Sequence, residues 1–281
     1  MNADERRFLA ITIFVVTALS GGLATAQSPE ERAAARDVLK KWQDTVVNVR
    51  VVLKTRMAMG GREMQATEET VDAVATVIEP DGLAVMSLTT LNPAGMMNRI
   101  MGQAGGGGSE EKFQMTSEPT DLRIRLSDGR EIAAKIVLRD EDLDLAFIRP
   151  TAKADKPFTS LALSDEGRPQ PLEPVVSISR LGRVGGWVPA ASLQSVNAII
   201  ERPRTMYVIS SSDGFGGGIG TPVFLLNGKL AGLLVLRSIT GNRPGMYSMM
   251  GGSEGLGLLP VILPAADIRE VAKQAAEDRK P

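Results

Sequence analysis

The chain has 281 residues, of which 43% are apolar and 23% charged, a composition typical of a globular protein with one large domain or two small barrels. Its 32 basic and 33 acidic side chains nearly cancel, so there is no basic field to hold a nucleic acid, and we expect none as a partner. The sequence contains no His and no Cys, which excludes Ser-His-Asp and Cys-His catalysis, the usual zinc sites and disulfides. We therefore expect no metal and no cofactor.

The first 26 residues have the pattern of a secretory signal peptide. Arg6 and Arg7 precede an apolar run over 8–19, and Ala24-Thr25-Ala26 offers a small-residue cleavage site. The run is about 12 residues long, whereas a membrane span needs about 20. We therefore predict cleavage after Ala26, a periplasmic or secreted location, and no stable membrane span in the mature chain.

Two helices are predicted at the ends of the mature chain. Ser28 is a suitable N-cap, Pro29 suits the first helical position and Glu31 completes a capping box, so a helix is expected within 27–43. Near the other end, Ile268, Val271 and Ala275 recur at helical spacing with charges between them. This pattern predicts an amphipathic helix over 265–281.

Between these helices the sequence is typical of β structure. From Thr45 onward, β-branched runs alternate with turn dipeptides at Asp81-Gly82, Asp128-Gly129 and Asn227-Gly228. A polar connection over 151–171 separates two such series. We therefore predict an all-β protein with a first barrel over 44–150 and a second over 172–264.

Two stretches break this pattern and are predicted to be loops, at 92–119 and 240–255. Both are rich in methionine and glycine, and another methionine group precedes them in the chain; the three groups are Met57/Met59/Met64, Met96/Met97/Met101 and Met246/Met249/Met250. Such groups are compatible with Cu(I) ligation, with a pliable contact surface or with plain flexible loops. The sequence does not choose a role for them.

Three segments carry a family resemblance. Residues 77–91 form a strand, an Asp-Gly turn and a second strand that ends in Ser87-Leu88-Thr89-Thr90; residues 143–148 read Leu-Asp-Leu-Ala-Phe-Ile; residues 217–222 read Gly-Gly-Ile-Gly-Thr-Pro. In order and context these segments resemble the HtrA/Deg group of trypsin-like serine proteases, over roughly 45–272. The resemblance implies two six-stranded antiparallel β-barrels.

The same resemblance locates a degenerate catalytic triad. It places Thr89 at the position of the histidine, Asp144 at that of the acid and Ile219 at that of the serine nucleophile. A serine needs a base to take its proton, and the acid only orients that base, so Asp144 has nothing to orient here. We expect Asp144 to serve instead as an acceptor of backbone hydrogen bonds at the barrel junction.

Two further features of the family fall on identifiable residues. Gly217 and Ile219 would supply the backbone N–H groups of a vestigial oxyanion hole, unless Ile219 simply fills the empty pocket with apolar surface. Val235, Leu236 and Arg237 match the edge strand on which substrates of the family pair, although the loop after Thr240 could cover this edge. The peptide-binding PDZ domain usual in the family is not expected in this chain.

These observations favour an exported trypsin-fold pseudoprotease that binds a peptide or a protein without cutting it. The alternative is a weak or unconventional serine hydrolase, in which Ser210, Ser211 or Ser212 acts as nucleophile with Lys229 as a distant base. A purely structural role in a complex is a third possibility. The identity of the partner is not contained in the sequence.

Overall fold

The computed structural model describes residues 28–277, except 60–61, 105–112, 127, 165, 210–217 and 239–257. Residues 28–33 open the first helix, α1 (Pro29–Trp42), with the predicted capping box. The hydroxyl of Ser28 accepts a hydrogen bond from the Glu31 N–H at 3.0 Å, and the Glu31 carboxylate accepts one from the Ser28 N–H at 2.8 Å. Two donors that a helix start leaves without partners are thereby satisfied.

Twelve strands in the described part of the chain form two closed antiparallel barrels. The first contains, in the order β1-β2-β3-β6-β5-β4, the strands β1 (Val46–Met59), β2 (Arg62–Val77), β3 (Ala84–Ser87), β4 (Phe113–Arg125), β5 (Glu131–Asp140) and β6 (Leu145–Pro150). The second contains, in the order β10-β11-β12-β9-β8-β7, the strands β7 (Pro174–Arg180), β8 (Pro189–Ile200), β9 (Met206–Ile209), β10 (Pro222–Leu225), β11 (Leu230–Ser238) and β12 (Leu258–Pro264). The predicted fold class is confirmed.

The remaining helices are short or lie at the end of the chain. They are α2 (Leu88–Leu91), α3 (Pro93–Ala104) and α4 (Ala265–Glu277). Helix α4 buries Ile268, Val271 and Ala275, the residues that predicted it. Within the described ranges, no helix has the length and apolar character needed to cross a membrane.

The predicted turns set the register of the strands that meet at the site. Gly82 and Gly129 have φ of 93° and 88°, a region that favours glycine, and each donates its N–H across a tight turn, to Glu79 and Leu126 respectively. The first of these turns joins β2 to β3, so that Thr76 lies opposite Val85. The end of β3 is thereby placed at the junction of the barrels.

A shared apolar cluster joins the two barrels. Leu83, Val85 and Phe147 from the first barrel pack in the same cluster as Val235 and Val261 from the second. Helix α4 adds Ile268 to this cluster. Because these side chains are almost entirely buried, separating the barrels would expose them to water.

The predicted loop over 92–119 is wrong for most of its length, because α3 and the first half of β4 occupy it. The side chain of Asn98 links α3 to β4. Its amide donates to the Met115 carbonyl at 2.6 Å and accepts from the Met115 N–H at 3.1 Å. The helix is thereby attached to the strand through a local mimic of strand pairing. The glycine run at 105–108 and the stretch 240–255 lie outside the described residues.

Trp42 anchors α1 on the second barrel, and its removal is a test of this packing. Its ring stacks on Phe224 with centroids 5.6 Å apart, and its indole N–H donates to the Gly228 carbonyl at 3.2 Å. We expect Trp42→Ala to lower the free energy of unfolding by about 2–3 kcal/mol, less than for a fully buried tryptophan. Trp42→Phe keeps the stacking and should cost about 1 kcal/mol. Urea denaturation measures both, and equal losses would contradict this account.

Candidate functional site

Asp144 lies at the turn that leads into β6, at the junction of the barrels. Its φ of 58° is in the left-handed region, which Asp and Asn tolerate better than most residues. Its carbonyl accepts a hydrogen bond from the Leu88 N–H at 2.9 Å, and only 5% of the residue is exposed. The backbone thus directs a buried carboxylate at the end of β3.

The carboxylate of Asp144 is bound on both oxygens by the segment that follows β3. One oxygen accepts from the Thr89 N–H at 2.7 Å and from the Thr89 hydroxyl at 2.8 Å. The other accepts from the Ser87 hydroxyl at 2.6 Å. The structure therefore brings together Asp144 and Thr89, two of the three residues at the predicted triad positions, by direct hydrogen bonds.

The protonation of Asp144 is set by two opposing influences. Burial raises the pKa of its carboxyl above the ordinary value of 3.8, because the charged form loses its hydration. The hydrogen bonds from Ser87 and Thr89, together with the positive charge of Arg237, lower it, and the net pKa is raised. Ser87 is the partner that sequence reasoning missed, although it lies two residues before Thr89 in the quoted segment.

The loop that carries Ile219 packs against the same strand end. The Thr76 hydroxyl donates to the Gly220 carbonyl at 3.2 Å. A Cβ at Gly220 would lie 2.7 Å from the Ser87 nitrogen, so glycine is needed for this close approach. The loop at the predicted nucleophile position therefore packs against the residues that bind Asp144.

Ile219 is half-buried and lines a cavity of about 220 Å³. The walls of this cavity come from both barrels: Asn48, Asp72, Ala73, Val74, Thr90, Arg180, Gly182, Gly218 and Ile219. Thr90 lines it, whereas Thr89 is turned to Asp144. The predicted oxyanion residue Gly217 and the candidate nucleophiles Ser210–Ser212 lie outside the described residues.

Charged groups that line this cavity form hydrogen bonds with the backbone around them. The Asp72 carboxylate accepts the Arg183 N–H at 3.1 Å. The Arg180 guanidinium donates to the carbonyls of Gln43 and Trp187 at 3.1 and 3.3 Å. A larger cavity of about 580 Å³ shares Asn48 and Arg180 with it. In the described part of the chain, no group of three or more acidic side chains could hold a metal ion.

The predicted peptide-binding segment, Val235–Arg237, lies in β11 and pairs on one side with β12. On its other side, the pairing with β10 extends only as far as Leu233, which lies opposite Pro222. The next residue, Leu234, donates its N–H to the Thr221 carbonyl and accepts the Gly220 N–H on its own carbonyl. Because backbone groups alternate along a strand, those of Leu236 point to the same side as those of Leu234. No described strand pairs with Leu236 on that side. Within the described residues, the backbone of Leu236 therefore has no strand partner on the side where a peptide would extend the sheet.

Comparison with known proteins agrees with this architecture. Residues 105–233 match the family model of the trypsin-like peptidase domain. The matched range contains Asp144 and Ile219 but not Thr89. The chain is thus similar to trypsin-like serine peptidases in both fold and sequence.

A protein of Bartonella henselae described as a "probable periplasmic serine endoprotease DegP-like" is 26% identical to this chain over 162 residues. The aligned region covers 57% of this chain and 29% of the relative. The chain therefore spans less than a third of the length of that relative. This likeness supports the resemblance to the HtrA/Deg group.

Removal of the Asp144 carboxylate tests its role at the junction. Asp144→Ala leaves the hydroxyls of Ser87 and Thr89 and one backbone N–H without their buried acceptor, so we expect the free energy of unfolding to fall by about 2–4 kcal/mol. Asp144→Asn keeps an acceptor and tolerates the same backbone conformation, and should cost less than half as much. Urea denaturation at neutral pH provides the comparison. Equal stability of all three proteins would show that the bonds contribute nothing.

The raised pKa of Asp144 also predicts a pH dependence. The folded protein binds this proton more tightly than the unfolded chain does, so its contribution to stability is fully present below pH 3.8 and is lost as the pH rises through the folded pKa. The wild type should therefore lose stability relative to Asp144→Asn as the pH rises above 3.8. Urea midpoints of both proteins across that range give the difference. A difference that stays constant, or changes in the opposite direction, would contradict the raised pKa.

Proposed function

We propose that this protein is an exported trypsin-fold pseudoprotease that binds an extended peptide, or a segment of a protein, in the cleft beside Ile219. One observation carries the proposal: Asp144 is bound by Thr89, at the position where the family carries its histidine. The chain contains no histidine at any position. The acid thus stabilises the junction and has no base to orient.

The geometry around Ile219 supports binding without hydrolysis. An aliphatic side chain there cannot attack a carbonyl, but it offers apolar surface to a ligand in the cavity that it lines. The backbone groups of Leu236, which no described strand pairs on this side, can bind a peptide by β-augmentation, which requires only main-chain hydrogen bonds. Both binding features are independent of the triad.

The location is part of the same proposal. The sequence predicts a signal peptide over 1–26, and the Bartonella relative carries "periplasmic" in its description. A periplasmic or secreted protein meets unfolded and proteolysed chains in extended form. Peptides of that kind are the ligands that an open strand edge would select.

A peptide-library experiment tests this function and identifies the ligand. The chain from Gln27 onward is incubated with a diverse library, and mass spectrometry records both the retained peptides and any new cleavage products. We expect intact peptides to be enriched and no products to form. Products that vanish when Ser210, Ser211 and Ser212 are replaced together would establish the unconventional hydrolase instead.

A matched pair of variants at Leu236 tests the proposed peptide-binding edge of β11. Leu236→Pro removes the N–H that points to the open side, whereas Leu236→Val removes a comparable amount of side chain and keeps the N–H. We expect the proline variant to lose about tenfold in affinity for a retained peptide, and the valine variant to lose less than threefold. Fluorescence anisotropy measures both. Equal affinities would place the peptide elsewhere on the protein.

A further inference from the structure

Among the described strands, the outer edge of β2 is a second place without a strand partner. Strands β1 and β2 have 14 and 16 residues and stay paired as far as Met59 and Arg62, with β4 on the other side of β1, and we call the far end of β2 and its paired strands the arm. Along 62–70 every residue of β2 is exposed. On the side away from β1, the only described strand that pairs with β2 is β3, and it reaches only Thr76 and Val77.

Two hydrogen bonds show which backbone groups of β2 point to this open side. The Ile78 N–H donates to the Leu83 carbonyl, so the groups of Ile78 face β3, and alternation puts those of Thr70 on the same side. Independently, the Val52 carbonyl, opposite Thr70 in β1, accepts from the Thr120 hydroxyl on the β4 side. The N–H and C=O of Thr70 therefore point away from β1, as do those of Ala66, Glu68 and Asp72.

The side chains of β2 along this edge are mostly acidic, while in β1 Lys54 lies opposite Glu68 and Arg50 lies opposite Asp72. Between 62 and 72 the exposed side chains include Glu63, Glu68, Glu69 and Asp72, against a single cation, Arg62. The net charge over these eleven positions is 1 − 4 = −3. A strand that pairs here brings its side chains close to those of β2, so opposite charge on the incoming strand is favourable and like charge is not.

The same acids disfavour pairing of the arm with a second copy of this chain. Two copies would bring together two edges of the same negative charge. A bulge opposite Met57 and Ala58 also breaks the regular register near the tip of the arm. Both devices are ways in which proteins keep an open edge from pairing with itself. A basic strand is not repelled by these acids.

We propose that the outer edge of β2, from Ala66 to Asp72, is a docking site for a basic extended peptide segment, which joins the first barrel as an added antiparallel or parallel strand. The backbone of Thr70 and its outward-facing neighbours supplies the hydrogen bonds, and the acids supply the preference for lysine and arginine. This site meets the cleft proposed above at Asp72, which also lines the cavity beside Ile219. It uses neither Ile219 nor Leu236.

The test uses two dye-labelled probes, an eight-residue peptide of alternating lysine and valine and its glutamate–valine counterpart. Fluorescence anisotropy with the chain from Gln27 onward should show binding of the lysine peptide and at least tenfold weaker binding of the glutamate peptide. Raising the salt from about 50 mM to about 500 mM should weaken the lysine peptide several-fold. Equal binding of the two probes would overturn the proposal.

Charge-reversal variants locate the binding. Glu68→Lys with Glu69→Lys should weaken the lysine peptide about tenfold. Glu201→Lys with Glu277→Lys makes the same change of charge at two exposed positions of the second barrel and its following helix, and should leave the affinity within about twofold. Equal losses in the two variants would mean that the peptide responds only to the net charge of the protein.

A backbone variant distinguishes strand pairing from simple charge attraction. Thr70→Pro removes one outward N–H with no change of charge and should also cost about tenfold, while Thr70→Val, which keeps the N–H, should bind normally. Circular dichroism verifies that both variants are folded. Unchanged binding by Thr70→Pro would overturn the pairing.

Two further measurements separate this site from the alternatives. Leu236→Pro should bind the lysine peptide as the wild type does, so a loss in that variant would assign the peptide to the cleft. Sedimentation of the protein without peptide should show no dimer that depends on Thr70. A dimer abolished by Thr70→Pro would make the second copy, and not a basic peptide, the occupant of this edge.

Discussion

The buried carboxylate of Asp144 is the constraint around which the junction of the two barrels is arranged. A carboxylate with 5% exposure needs hydrogen-bond donors to replace its lost hydration, and the segment from Ser87 to Thr89 supplies three of them. This segment is thereby fixed at the end of β3. Gly220 packs directly on the Ser87 backbone, so the position of the loop from the second barrel follows from the same bonds.

Under the proposed function, this arrangement lets a protease-like framework persist without protease chemistry. In a working triad the acid receives its hydrogen bond from a histidine, which the nucleophile then uses as a base. In this chain threonine and serine hydroxyls take that place, so the carboxylate keeps partners and the barrel junction keeps its packing. Ile219 then adds apolar surface to a cavity that both barrels line. The interactions that stabilise the fold are therefore distinct from those that catalysis would need.

Local sequence signals predicted much of the fold. The helix start at Ser28 and the turns at Gly82, Gly129 and Gly228 depend on bonds or backbone angles within a few residues, and the structure has each of them. The resemblance further predicted two six-stranded barrels. Strand β12 escaped prediction because the prolines at its third and last positions mask a β pattern. Helix α3 was not predicted either, since it is attached to β4 by a hydrogen bond from Asn98 to Met115, 17 residues away.

The candidate site was predictable only in part for the same reason. Short matching segments predicted Asp144 and Thr89. Ser87, Asp72 and Asn48 belong to the site because of contacts between residues far apart in the sequence, which no single segment reveals. The acidic arm of β2 was also missed, because its charges interrupt the apolar alternation that marks a strand in sequence. Its length is explained by pairing with β1, whose own register is held by β4. Such long-range pairings are the information that a single sequence lacks.

A fluorophosphonate probe labels serines that a neighbouring base has activated, so it tests directly whether this chain lacks protease chemistry. We expect no labelling of the natural chain, even with excess probe and long incubation. If the matched positions are right, the double variant Thr89→His with Ile219→Ser gains labelling at position 219, because Asp144 can then orient a base. Labelling of the natural chain at any serine would contradict the account and make the protein an enzyme.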